Sequence, residues 1–168
     1  MKDKFFKSST VVILVPGGMV IPYFMSSKGK WKIVLVSQYR LAVKKKTLEG
    51  AGGRLDNEPV QIALSRELQE ETGVKVKPSA IRIVLYEYTH PSILRSSIFG
   101  GIVKINENMV INKKRAGKKS ENERTQVEIF DLIDFMEKRE KKLIKIDLLT
   151  SRLLDEAAKA AGLLTKNY

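Results

Sequence analysis

The 168-residue chain reads as a single α/β domain. Three observations predict this. Apolar runs of strand length recur at 10–15 (TVVILV), 31–38 (WKIVLVSQ), 80–88 (AIRIVLYEY) and 96–105 (SSIFGGIVKI). Helical patterns lie between and after them, at 59–72, 131–141 and 147–161. Finally, no repeat or shift in composition marks a second domain, and a hydrophobic content of 43% supplies one proper core.

In order along the chain, residues 1–9 read as a tail. Residues 10–15 form a continuous apolar run, the pattern of a buried strand. Pro16-Gly17-Gly18 is a turn, and Met19 opens a second strand that Pro22 interrupts. The run 31–38 is a third strand, followed by Tyr39 and Arg40, a basic loop at Lys44-Lys45-Lys46 and a glycine-rich lead-in at 47–53 (TLEGAGG). Pro59 suits the first turn of a helix, with Asn57 or Glu58 at its cap, and Gly73 suits the left-handed position that ends it. After the turn at Pro78-Ser79 come a strand at 80–88, a loop holding the sole histidine, His90, and a strand at 96–105 with Gly100-Gly101 as a bulge or close approach. Residues 106–120 are polar and basic. A last strand is expected at 127–130. Two helices close the chain, one with Leu132, Phe135 and Met136 as its apolar face, the other capped by Asp147 or Thr150 and ended by Gly162.

Composition narrows the classes of function. The net charge of +12 suits attraction to polyanions, nucleotides or RNA, or else a lysine-rich solvated surface. The densest basic run, 113–119 (KKRAGKK), has no interleaved aromatics, which argues against a base-stacking platform there. No uninterrupted apolar stretch is long enough for a membrane span, and the opening MKDKFFK is too charged for a secretory core, so no membrane partner is expected. The absence of cysteine fits a reducing compartment, and the cytoplasm is the expected location.

The chemistry concentrates in 52–74 (GGRLDNEPVQIALSRELQEETGV). With about 100° per residue, Glu70 and Glu71 lie at roughly −60° and +40° from Glu67, so the three carboxylates occupy one helical face. Gln61, Ser65, Gln69 and Thr72 form the water-facing stripe, while the acids share their side with Val60, Ala63 and Leu64. Like charges clustered beside apolar residues call for a cation. A chain with no cysteine and one histidine cannot supply a usual zinc set, whereas oxygen ligands suit Mg2+ or Mn2+ held together with substrate phosphates.

This stretch resembles the signature of the Nudix hydrolases: glycine, five residues, glutamate, seven residues, then Arg-Glu-apolar-any-Glu-Glu-any-Gly-apolar. Gly52, Glu58, Arg66, Glu67, Leu68, Glu70, Glu71, Gly73 and Val74 match every fixed position. The resemblance implies a Nudix fold, a mixed β-sheet sandwiched between α-helices. It also implies a metal site built from Glu67, Glu70, Glu71 and a main-chain carbonyl. That carbonyl belongs to Ala51 if Gly52 is the signature glycine, and to Gly52 if Gly53 is. Arg66 is expected to pair with a carboxylate such as Glu58 and orient it.

Val36-Ser37-Gln38-Tyr39-Arg40 ahead of the box, and the Leu48-Glu49 lead-in, are similar to the ADP-ribose pyrophosphatase branch of that family. The branch implies substrate contacts from Arg40, with Glu49 and Arg54 beside it, and a glutamate from a later loop, Glu121 or Glu123, that orients or deprotonates the attacking water. Pro91, seventeen residues past Val74, falls near the branch's proline without matching its position. The implied activity is metal-dependent hydrolysis of a nucleoside diphosphate derivative, ADP-ribose to AMP and ribose 5-phosphate, by a homodimer. The alternatives are a Nudix enzyme for another nucleotide (a dinucleoside polyphosphate, an oxidised nucleoside triphosphate or an RNA cap) and a Nudix module that binds nucleotide or RNA without cleaving it.

Overall fold

The computed structural model describes residues 12–88, 94–110, 125–144 and 146–164. Its centre is a seven-stranded mixed sheet. The strands are β2 (Gly17–Met25), β3 (Trp31–Arg40), β4 (Lys45–Glu49), β5 (Ala51–Arg54), β6 (Arg82–Tyr88), β8 (Ser97–Lys104) and β9 (Gln126–Asp131). The strand order is β4-β3-β2-β8-β6, with β5 also pairing β2 and β9 also pairing β3. Only the β2–β8 pair within it is parallel. Three helices complete the fold: α1 (Val60–Thr72), α2 (Leu132–Glu140) and α3 (Leu148–Ala160).

The first apolar run departs from expectation. Of its described residues only Val12–Ile13, here β1, is strand, and it pairs in parallel with β7 (Leu94–Arg95) outside the main sheet. Leu14 and Val15 are exposed, so the run is not a core strand. The second strand, by contrast, begins inside the expected turn, at Gly17, and continues through Pro22. On one edge β2 pairs β5 through residues 17–20 and β3 through residues 23–25. Pro22 falls between those two partners, where its missing N–H leaves no ladder bond broken.

Alternation along β2 and β3 sends side chains to two core layers. Ile21, Tyr23, Ile33 and Leu35 pack with Phe135, Leu149, Leu153 and Leu154 of α2 and α3. Val20, Val34, Val103 and Val127 pack with Leu64 and Leu68 of α1. The sheet therefore lies between α1 on one face and α2 and α3 on the other. Adjacent glycines of β8 seat both layers. A Cβ on Gly100 would lie 2.7 Å from Leu153 of α3, and one on Gly101 would lie 3.2 Å from Leu64 of α1.

The helix ends follow local chemistry. Asp131 caps α2, accepting from the N–H groups of Ile133 and Asp134. Burial opposes its charge, but those bonds and the ammonium groups of Lys30 and Lys32 outweigh that and hold its carboxyl below the usual aspartate range. Asp147, rather than Thr150, caps α3. Thr150 donates its hydroxyl to Asp147 and accepts from the Gly50 N–H at 3.1 Å, tying the start of α3 to the strand that leads into the acidic helix.

Candidate active site

The site is built where β5 runs into α1. Leu55 leaves the sheet, and Asp56 and Asn57 take left-handed backbone angles of φ 46° and 64°. Aspartate and asparagine tolerate that region better than other side chains, so the tight connection is written into the sequence. The Glu58 N–H returns to the Leu55 carbonyl at 2.8 Å, which closes the turn. The helix begins one residue later than its sequence suggests. Pro59 is itself the cap residue, its carbonyl accepting from Ile62 and Ala63, and neither Asn57 nor Glu58 caps it. Gly73 ends α1 at φ 76°, its N–H bonded to the Gln69 carbonyl.

The stripe opposite the acids is only partly a water face. Gln69 is exposed, but Gln61 donates to the Ile81 carbonyl and Ser65 to the Val76 carbonyl. Thr72 is buried, bonded to Leu68 and Val74. These bonds lock α1 to the segment that follows it and leave the acidic side turned toward β5.

Arg66 organises that side. Its Nε donates to Glu58 at 2.9 Å, Nη1 donates to Glu67 at 2.6 Å, and Nη2 donates to the Arg54 carbonyl at 3.2 Å. Glu70 lies 3.6 Å from Nη1 and Asp56 3.9 Å from Nη2. The expected pair with Glu58 is present, and Arg66 serves several further carboxylates as well. Partial burial opposes the guanidinium charge, but the bonds and charges of Glu58 and Glu67 raise its pKa above the ordinary arginine value.

Two glycines of β5 make room for the acids. A Cβ on Gly53 would lie 2.6 Å from the carboxyl carbon of Glu67, so that carboxylate rests directly on a bare backbone. A Cβ on Gly52 would lie 2.3 Å from the Gly18 carbonyl oxygen, so β2 and β5 approach too closely there for any side chain. The Gly52 N–H donates to Glu71 at 2.9 Å.

The phase of the β2–β5 ladder separates the two candidate carbonyls. Leu55 N–H bonds the Pro16 carbonyl, and the pairs Gly18–Gly53 and Val20–Ala51 follow in the same alternation. Ala51 is thus spent on β2. Gly52 sits at a non-bonded pair with Met19, with its N–H and C=O on the side of α1. Of the two candidates, Gly52 rather than Ala51 offers its carbonyl to the acids.

A second arginine–carboxylate assembly sits at the far end of the β3–β4 hairpin. Arg40 and Glu49 form a two-pronged pair, Nε to Oε1 at 2.9 Å and Nη2 to Oε2 at 2.6 Å. Thr47 adds a hydroxyl bond to Glu49 at 2.5 Å. Burial alone would raise the pKa of Glu49. The bonds from Arg40 and Thr47 and the Arg40 charge overcome this and hold it below the usual glutamate range. Glu49 is buried, whereas the Arg40 side chain is 45% exposed. Lys45 and Lys46, read as loop from sequence, belong to β4. Glu49 is three residues before Gly52, about 10 Å of extended chain. Arg54 ends β5 with its side chain exposed. Glu121, Glu123, His90, Pro91, the basic run 113–119 and the tail 1–9 lie outside the described residues.

A hard divalent ion suits the donor chemistry of α1, which is all carboxylate and carbonyl oxygen. The carboxylates fan around Arg66, and among the described residues no three His, Cys, Asp or Glu side chains converge on one point as ion ligands. Holding an ion requires Glu67 and Glu70 to turn from the guanidinium, which their partial exposure allows.

One group escaped the reading of the sequence. Tyr86, Tyr88 and Phe99 form an aromatic cluster, with Tyr86 centred 4.7 Å from Phe99 and 5.8 Å from Tyr88. The signal was the alternation Tyr86-Glu87-Tyr88 near the end of a strand, which puts both tyrosines on one face. No protein-family model matches the chain, and comparison with curated proteins returns no relative.

Proposed function

We propose that the chain is a Nudix-type hydrolase that cleaves the diphosphate linkage of a nucleoside diphosphate derivative, converting ADP-ribose and water to AMP and ribose 5-phosphate. The observation that carries this reading is the gathering of Glu58, Glu67 and Glu70 about Arg66, beside Glu71 on the Gly52 N–H. Four acids share this one arginine, with Asp56 the fourth and Glu71 beside them, which is more carboxylate than a simple ion pair needs.

In this reading Glu67, Glu70, Glu71 and the Gly52 carbonyl hold Mg2+ or Mn2+. Such an ion, when bound, would neutralise charge on the diphosphate and lower the pKa of an attacking water. Arg66 keeps Glu58 and Glu67 ionised and in place. A carboxylate, from α1 or from Glu121 or Glu123, takes the proton as water oxygen bonds to phosphorus. The bridging P–O bond breaks, and its oxygen leaves on the other phosphate. Arg40 exchanges Glu49 for a phosphate oxygen pair of the same planar geometry. The enzyme acts in the cytoplasm as a homodimer.

The test is product release with Mg2+ across ADP-ribose, diadenosine polyphosphates, NADH, 8-oxo-dGTP and capped RNA. ADP-ribose is expected to be preferred, and Glu71→Gln is expected to lower kcat on the order of 10²–10³-fold. Turnover of that variant at the parent rate would falsify the metal assignment. Preference for another substrate keeps the acidic helix and replaces the substrate.

A further inference from the structure

The sheet registers place the aromatic cluster and the acids on one surface. Gly53 pairs with Gly18 of β2, Gly18 pairs with Phe99 of β8, and Phe99 pairs with Tyr86 of β6. Directly paired residues share a face. That face is the one α1 covers, because a Cβ on Gly18 would meet Leu64 and one on Gly53 would meet Glu67. On the other face, Leu85 and Gly100 lie under α3.

Strand spacing then gives distances. Phe99 lies two strands from Gly53, about 10 Å, and Tyr86 three strands away, about 14 Å. Tyr88 is next along the same face, paired with Ser97. Tyr86 and Tyr88 are 55% and 57% exposed, although they stand against an aromatic neighbour that could have buried them. Their hydroxyls bond one another at 3.3 Å, which fixes the two rings relative to each other.

The geometry points to a nucleobase subsite at Tyr86, Tyr88 and Phe99, where the base of a nucleotide stacks while its phosphates extend along the sheet toward Arg66 and the glutamates of α1. The inference rests on the proposed function for the class of ligand, and on the sheet registers for the place. Two features favour a base over another occupant. The rings are wide, flat and uncharged, which suits stacking with any base. The acids of α1, which in the proposed function hold the cation that binds the phosphates, lie about 10–14 Å away on the same surface, within the span of a nucleoside diphosphate.

The experiment measures AMP and ribose 5-phosphate binding by calorimetry in the presence of Mg2+, on the parent and on a Tyr86→Ala/Tyr88→Ala double variant. A loss of stacking should weaken AMP roughly ten-fold or more and leave ribose 5-phosphate, which has no base, unchanged. A Tyr86→Phe/Tyr88→Phe variant keeps the rings and should bind AMP as the parent does, which separates stacking from misfolding. Equal AMP affinity in the parent and the alanine variant overturns the subsite, as does no AMP binding to the parent at millimolar concentration. A parallel loss of both ligands in a folded alanine variant also overturns it, because that is not a base effect. Repeating the titration in Glu71→Gln keeps this separate from hydrolysis: base-dependent binding without turnover in any form sustains the subsite and refutes the enzyme.

Discussion

Among the arginines that hold carboxylates, Arg40 and Arg66 do so in opposite ways. Among the described residues Arg40 meets one glutamate, Glu49, in a two-pronged pair. Arg66 is shared among Glu58, Glu67, Glu70 and Asp56, with Glu71 close by on Gly52. In the first, one carboxylate occupies both prongs of the guanidinium, so a phosphate enters by exchange. In the second, the described acids outnumber the guanidinium they share. Arginine–glutamate contacts are therefore poor guides by themselves. The number of carboxylates that share a guanidinium, rather than the distance of any one pair, separates the two assemblies.

Four changes break or sharpen that contrast. Gly53→Ala places a methyl carbon where the Glu67 carboxylate rests, without altering any acid. A displacement of about 1 Å at a reacting centre costs on the order of 10²-fold, so kcat should fall by that order while the protein still folds. Circular dichroism and a turnover assay on the same sample decide it, and unchanged kcat would mean that Glu67 does not act where it rests.

Arg66→Ala removes one shared partner from four carboxylates at once. Mg2+ affinity or turnover should fall about 10–100-fold. Arg66→Lys should recover little of this, because one ammonium cannot reproduce separate contacts to Glu58, Glu67 and the Arg54 carbonyl. Recovery to the parent value by lysine would reduce Arg66 to a point charge.

Arg40→Lys should act on the other assembly through substrate binding. KM should rise about ten-fold with kcat nearly constant, as expected when a two-pronged contact becomes single. A fall in kcat at constant KM would move Arg40 into the chemical step.

The smallest effect is on stability. Glu49 has a lowered pKa in the folded protein, so its pairing stabilises the fold above the unfolded glutamate pKa of about 4.5, and that contribution is lost as pH falls through the folded value below it. The parent should unfold at a higher temperature than Glu49→Gln at pH 7, by about 1 kcal/mol of stability. The gap should close as the pH is lowered below about 4. A gap that persists at pH 3 would mean that packing rather than charge sets the difference.

The legible parts of the site were those encoded by neighbours in sequence. The helical spacing of Glu67, Glu70 and Glu71, the stop at Gly73 and the Arg66–Glu58 pair all lie within one short window with one period. Residues 50–53 read as a loop because glycine has low strand propensity. They include the strand β5 because β2 and α1 close on both sides of it and leave no space for side chains. The pairing of Arg40 with Glu49 depends on the register of the β3–β4 hairpin, where Gln38 faces Thr47 and Val36 faces Glu49. No local pattern fixes that register. Likewise the aromatic cluster joins β6 to β8, and only the sheet order makes those strands neighbours.

The glycines at 100 and 101 carry a consequence for how this chain can change over generations. One bare position supports α3 and the very next supports α1, on opposite faces. Insertion of a single residue upstream in β8 would present each helix with the side chain meant for the other. Drift in this strand is thus restricted to substitutions in place. The two halves of the molecule, the acid-bearing helix and the capping helices behind it, are bound to a common reading frame two residues long.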